Sequence, residues 1–253
     1  MDNGDLTDVK TITNFYNRID KKKAHADIIT ADGGFNWEDE KYQEAEAYTL
    51  LLGEIITALK VQNKGGHFVL KIFSTFTSMT IKLVLLLKSF YQDVIVTKPL
   101  MSRMSNSERY IVCKNFKTAP NDKKTNDKIK KLMTLLTSIK KDEAKGQFVS
   151  DIVPQYELST PICKLFRCAS MRQSNLQMIQ INTMMQYLRD GDFFGDQYNK
   201  FRSNQMAANK AWMDHFYPSD KQIKKALTAC ENTMKTTMEQ QDQQAQQFPY
   251  MVA

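Results

Sequence analysis

Three side chains in this sequence have types and positions that suit proton handling. Asp32 ends a short apolar run, Asp27 to Ala31, and is followed by Gly33 and Gly34. Lys71 lies late in another apolar run, HFVLKIF, and Glu108 stands just before a further one, RYIVCKNF. An acid, a lysine and an acid gathered around one cleft would form a titratable cluster of the kind found at functional sites. Each residue also has a plainer reading. An acid after a strand often caps a turn. A lysine late in a strand can run its stem over apolar surface to water. Glu108 beside Arg109 can be a surface ion pair. The set has chemical meaning only if the fold brings all three together.

The elements expected around them do so. Up to about Lys117, strand-like and helix-like runs alternate. Asp27 to Ala31 reads as a strand, and Lys41 to Val61 as a helix, with Tyr48, Leu51, Leu52, Ile55, Ile56 and Leu59 at helical spacing. Lys64-Gly65-Gly66 reads as a break and HFVLKIF as the second strand. Thr77 to Tyr91 reads as the next helix, DVIVTKP as a strand closed by Pro99, Ser102 to Ser107 as a loop and RYIVCKNF as the fourth strand. Strands separated by such helices run parallel with right-handed crossovers, which predicts an α/β, doubly wound, Rossmann-like sheet. Only a loop separates the last two strands, so they are expected to be antiparallel. The start of the last strand then lies at the carboxyl edge of the others, where open α/β sheets bind ligands. Asp32, Lys71 and Glu108 share that edge.

From Thr118 onward the pattern turns helical and rich in Lys, Gln and Met, which divides the chain into residues 1–117 and a helical extension, 118–253. Asn126 to Lys141 reads as a basic amphipathic helix, and Pro154 and Pro161 as punctuation in a connector. Met178, Ile181, Met185 and Leu188 form an apolar stripe, Asp196 to Phe216 is a helix ended by Pro218, and Asp220 to about Gln247 is a last helix with a low-complexity tail, EQQDQQAQQ. The net charge of +7 on 253 residues suits a polyanionic partner such as RNA. Cys113, Cys163, Cys168 and Cys230, with His25, His67 and His215, have no metal-ligand spacing, so no metal site is expected. Unpaired cysteines suggest a reducing, intracellular setting. The run Leu83 to Leu87 is closed by Lys82 and Lys88 and is too short to span a membrane.

ADGGF at 31–35, GGHFVLKIF at 65–73 and KPLMSRMSNSERYIVCKNFK at 98–117 resemble the FtsJ-like ribose 2′-O-methyltransferases, nearest to those acting on the first nucleotide of capped mRNA, including viral members. The likeness is continuous from GDLTD at 4–8 to Lys117. It implies S-adenosyl-L-methionine as cofactor and capped mRNA as the RNA partner. It implies Lys71, Asp32 and Glu108 as catalytic residues from the family's Lys-Asp-Lys-Glu set, and Asp5, Asp32 and Gly33 as cofactor contacts, with Asp5 accepting from the adenine amine. Lys98 and Arg103 would meet phosphates and Asn106 the ribose. Methyl transfer to a ribose hydroxyl is an in-line displacement, so the hydroxyl must be aimed and deprotonated. Lys71 would steer it and accept the proton. Neighbouring cations favour the neutral amine and the carboxylates oppose it, so Asp32 and Glu108 are assigned to orienting Lys71.

The family's glycine-rich turn and first tetrad lysine have no counterpart in the sequence. The motifs therefore match the last four strands of the family's sheet, and the Asp27–Ala31 strand would be an apolar edge unless something pairs with it. The remaining half is expected in cis, on a longer chain, or in trans, on a second polypeptide. The alternative is a non-catalytic RNA-binding or scaffolding subunit built on this fold, using the basic helix. The expected place of action is the cytoplasm or nucleus, or a viral factory for a member of viral type. No membrane partner is expected.

Overall fold

The computed structural model describes residues 4–22, 24–34, 42–99, 102–120, 122–146, 151–153, 155–191, 194–225, 227–229 and 231–233. Lys41, Pro154, Cys230 and the EQQDQQAQQ tail lie outside the described residues. The chain forms two compact units, Met1–Thr183 and Met184–Ala253.

The first unit opens with α1, Val9–Lys21, capped by the Asp8 side chain, which accepts from the Lys10 N–H. This helix is not among the expected elements, although Val9, Ile12, Tyr16 and Ile19 keep helical spacing and Ile12 is fully buried. Strand β1, Ala26–Ala31, follows. The single helix expected over Lys41 to Val61 is instead two: α2, Gln43–Glu46, and α3, Tyr48–Val61, meeting at a turn on Ala47. The α2 residue Glu44 spends its carboxylate on the start of α4, accepting from the Thr77 N–H (3.0 Å) and from the Thr77 and Thr80 hydroxyls. Helix α3 is buried on nearly every side because it packs against α1, α4, α5 and the sheet.

Strand β2 runs Gln62–Ile72 and starts directly after α3, so Lys64-Gly65-Gly66 lies inside the strand. The pairing with β1 shifts register between Ala26 and Ile28, and the lysine and glycines form an irregularity there. Helix α4, Ser78–Phe90, passes straight into β3, Tyr91–Thr97, and β4 spans Arg109–Phe116. The sheet order is β1-β2-β4-β3, with β1 parallel to β2 and β4 antiparallel to both of its neighbours. The crossovers through α3 and α4 both step in one direction along the sheet, and right-handedness puts both helices on one face. That face carries the buried Phe68, Leu70, Ile72, Ile111 and Cys113. A doubly wound sheet also needs helices on its second face, and none of the described helices covers it. This is the half-sheet that the motifs imply. Strand β1 is an edge, and its Ile28 is 69% exposed.

Helix α5, Lys123–Glu143, is capped by Asp122 and buries Thr125, Ile129, Leu136 and Ile139, largely against α3. Its apolar face thus completes the core, and its lysines face outward. Helix α6, Thr160–Asp190, contains Pro161 in its first turn, so that proline starts a helix and does not punctuate a connector. The stripe Met178, Ile181, Met185 and Leu188 is exposed. In the second unit α7, Gly195–Phe216, carries an aromatic cluster of Trp212 with Phe216 and Tyr217. Residues 220–225 are helical, as expected.

Candidate active site

The antiparallel β4 brings its start to the carboxyl end of β2, so the sheet gathers the expected residues at one edge. Asp32 follows β1 immediately, and Ala31 stands beside Leu70 in the parallel pair. The next residues along, Asp32 and Lys71, form an ion pair between Oδ1 and Nζ. The lysine side chain is 23% exposed and the aspartate 61%, so the pair sits at a water-facing rim. The ammonium also stands 6.0 Å from the centre of the Phe73 ring.

Glu108 lies one residue before β4. Its Oε1 accepts from the Tyr110 hydroxyl at 2.7 Å, and Tyr110 is paired across the sheet with Lys71. Tyr110 therefore bridges the two groups of residues. The bond to Glu108, burial and the negative charges of Glu108 and Asp32 push its phenol up to about 12. Tyr110 stands inside the motif, where its residue type alone assigns it no role. Its place opposite Lys71 follows from strand register, which needs the partner strand to be known.

The 102–108 loop is held from within. The Lys98 ammonium donates to Ser102 Oγ (3.2 Å), Asn106 Oδ1 (2.8 Å) and the backbone oxygens of Asn106 (3.1 Å) and Glu108 (2.9 Å). Burial holds its pKa below the ordinary lysine value. Asn106 Nδ2 reaches Glu108 Oε2 at 3.4 Å. Lys98, Asn106 and Glu108 thus form one cluster, with Lys98 as its clamp. Arg103 lies exposed on the same loop.

Asp5 is engaged elsewhere. Its Oδ1 accepts from the Thr7 N–H (2.8 Å) and hydroxyl (2.6 Å), and its Oδ2 pairs with Lys140 of α5 at 3.1 Å. The Thr7 hydroxyl, helped by Lys140, holds its carboxyl below the usual range.

A residue missed in the sequence completes the site. Glu54 is a buried acid in the apolar run LLLGEIITAL of α3, and its Oε1 accepts the Gly33 N–H at 2.7 Å. Burial pushes its carboxyl above the usual range and the Asp32 charge adds to this, while the Gly33 N–H and Lys71 oppose it. A Cβ on Gly33 would fall 2.6 Å from that oxygen, so the glycine permits the close approach of Glu54. A lone acid in a buried helical stripe is the signal that marks it.

Residues 1–116 match the family model for FtsJ-like methyltransferases. The resemblance drawn from the motifs holds over that stretch. The chain is 41% identical over 124 residues to the cap-specific mRNA (nucleoside-2′-O-)-methyltransferase 1 of Mus musculus, covering 47% of this chain and 15% of that protein. The Homo sapiens protein of the same name is 40% identical over 124 residues, with the same coverage. The Dictyostelium discoideum protein is 46% identical over 90 residues, which are 35% of this chain and 12% of that protein. The chain thus spans about one seventh or less of these relatives' length. A Plasmodium falciparum crystal structure, provisionally described as a ribosomal RNA methyltransferase, aligns over 36% of this chain and 47% of that one, with 31% identity and a TM-score of 0.30.

Proposed function

We propose that residues 1–117 are the carboxyl-terminal part of an S-adenosylmethionine-dependent RNA ribose 2′-O-methyltransferase acting on the first nucleotide of capped mRNA, with 118–253 as a helical extension. The observation that carries this reading is the Asp32–Lys71 ion pair at the carboxyl edge of the sheet, joined through Tyr110 to Glu108. The named activity of the relatives agrees with it.

The donor set fits one side of such a cofactor. A sulfonium suits the exposed carboxylate of Asp32 beside the open edge of β1, and an exocyclic amine suits an acid such as Asp5. Gly33 follows Asp32 on the same turn. When bound, the cofactor supplies an electrophilic methyl group. The chain's own residues do the remaining work. Lys71 Nζ lies where it can orient the ribose hydroxyl and accept its proton. Asp32 fixes the amine in place, and Glu108 with Tyr110 closes the opposite side. Glu54 holds the Gly33 backbone and so the turn that bears Asp32. The clamp of Lys98 on Asn106 sets the loop for the ribose, and Arg103 is free to turn toward a phosphate. The partners are RNA and a polypeptide segment carrying the glycine-rich turn, in cis or in trans, and the reaction belongs in the cytoplasm or nucleus.

The test is methyl transfer from labelled S-adenosylmethionine to a short capped RNA, with the product mapped to the first-nucleotide 2′-hydroxyl. The chain is assayed alone and together with a segment bearing the glycine-rich strand and turn. Lys71→Ala is expected to lower transfer by about 10²–10⁴-fold, the range for loss of a general base, while RNA binding persists. Turnover like that of the unmodified chain would remove Lys71 from this role. RNA binding with no transfer under any pairing would favour the non-catalytic module.

A further inference from the structure

Beside the site, the β2–α4 loop and α6 enclose a cleft of about 480 Å³, a volume in the range of small-ligand sites. Its floor is pinned by polar contacts. Ser170 on α6 meets the Thr75 hydroxyl at 2.9 Å, and Arg109 Nη1 donates to that same hydroxyl at 3.2 Å. Arg109 is buried, and its Nε has no acceptor among the described residues. A guanidinium charge therefore lies under the floor, while Arg167 lines the wall. Among the described residues no acid lines the cleft, and the Glu44 carboxylate, whose charge also acts on Arg109, accepts from the Phe76 and Thr77 N–H groups.

The lining offers more than charge. Phe76 is 62% exposed although it is large and apolar, and Met171 and Asn175 share the cleft with it. A bare aromatic ring, a cation and an amide in one groove match the requirements of an unstacked nucleotide: a stacking platform, a phosphate partner and a base-edge hydrogen bond. Two links also run from the cleft to the elements that carry the site. Thr75 lies four residues beyond Lys71, and Gln177 of α6 donates to the Ser105 carbonyl in the loop that holds Asn106 and Glu108 at 3.0 Å.

We propose that this cleft binds one nucleotide of the RNA strand flanking the one held at Lys71, with its base stacked on Phe76 and its phosphate paired with Arg167. The proposal rests on the RNA methyltransferase reading and extends it to a second nucleotide position.

The full chain and a short single-stranded RNA containing thiouridine provide the test, through binding anisotropy and photo-crosslinking. Phe76→Ala is expected to weaken binding by about tenfold, as for loss of a stacked base, with an unchanged salt dependence. Arg167→Met is expected to weaken binding and to reduce the slope of log K against log salt by about 0.7, the value for one phosphate contact on a single strand. Both residues are exposed, so melting temperatures should stay as they are. Crosslinks at Phe76 or Met171 support the cleft. RNA that binds with crosslinks confined to the 102–108 loop, and with both variants binding normally, overturns the cleft and leaves the methyltransferase reading standing. A chain that binds no RNA overturns both.

Discussion

At the scale of single residues, the site depends on one buried acid that no motif names. Glu54 carries two opposed contributions to stability. Its carboxylate accepts the N–H of the exposed Gly33, and such a hydrogen bond contributes a net of about 0.5–1.5 kcal/mol. Its charge, however, is held in a buried place that raises its pKa. A carboxyl with a raised folded pKa makes the folded state bind more protons than the unfolded one. Stability from this group is therefore greatest below the ordinary carboxylate value and falls as pH rises toward the raised one. Glu54→Gln keeps an acceptor oxygen and removes the charge, so its melting temperature is expected to exceed that of the unmodified chain at pH 7. The difference should shrink as pH falls toward ~4.5. Glu54→Ala should melt lower than both. Equal melting of the Ala and Gln variants would show that the bond to Gly33 contributes nothing. Glu54 has no local signal of its role for a physical reason. Its partner is 21 residues away in sequence, and only the packing of α3 under β1 brings them together.

At the scale of elements, the strands were legible because each is a short apolar run bounded by polar residues or glycine. The antiparallel return of β4 was legible from loop length alone. Helix α1 and the irregularity in β2 are not legible in the sequence, for different reasons. The spacing of Val9, Ile12 and Ile19 was present, but polar and basic residues between them dilute the pattern. The register shift at Ala26–Ile28 is a property of two paired strands and has no signal in either one. Gly53 tests how elements meet. A Cβ there would stand 2.0 Å from the Leu6 carbonyl oxygen, so the segment before α1 crosses α3 where a glycine leaves room. In an isolated helix Gly→Ala would gain about 1 kcal/mol. Here the added methyl meets backbone, and overpacking costs about 1–3 kcal/mol. The clash should win, and Gly53→Ala is expected to lower the melting temperature. A rise would mean that residues 4–8 yield without loss.

At the scale of the whole molecule, the question is how much of a cofactor site a half-sheet can supply. The residues proposed to act on the reacting groups lie on β2 and just beyond β1 and before β4, all within the matched stretch. Among the described residues the outer edge of β1 has no partner strand, its Ile28 is exposed, and Asp32 stands at its end. Affinity for a nucleoside cofactor comes mainly from burying its surface between walls, and sites of this kind enclose most of their ligand. On the proposed reading the described residues would provide one wall. Asp5, the acid expected at the adenine, is already held by Thr7 and Lys140, so cofactor binding must compete with those contacts. Calorimetry of the 253-residue chain with S-adenosylmethionine is therefore expected to give no saturable binding in the micromolar range. Addition of a segment that pairs with β1 and carries a glycine-rich turn should create it. The same addition should protect the β1 amides from hydrogen exchange, because a strand laid along that edge fills their open hydrogen bonds. Micromolar binding by the chain alone would mean that Asp5 exchanges its partners readily and that one wall is sufficient.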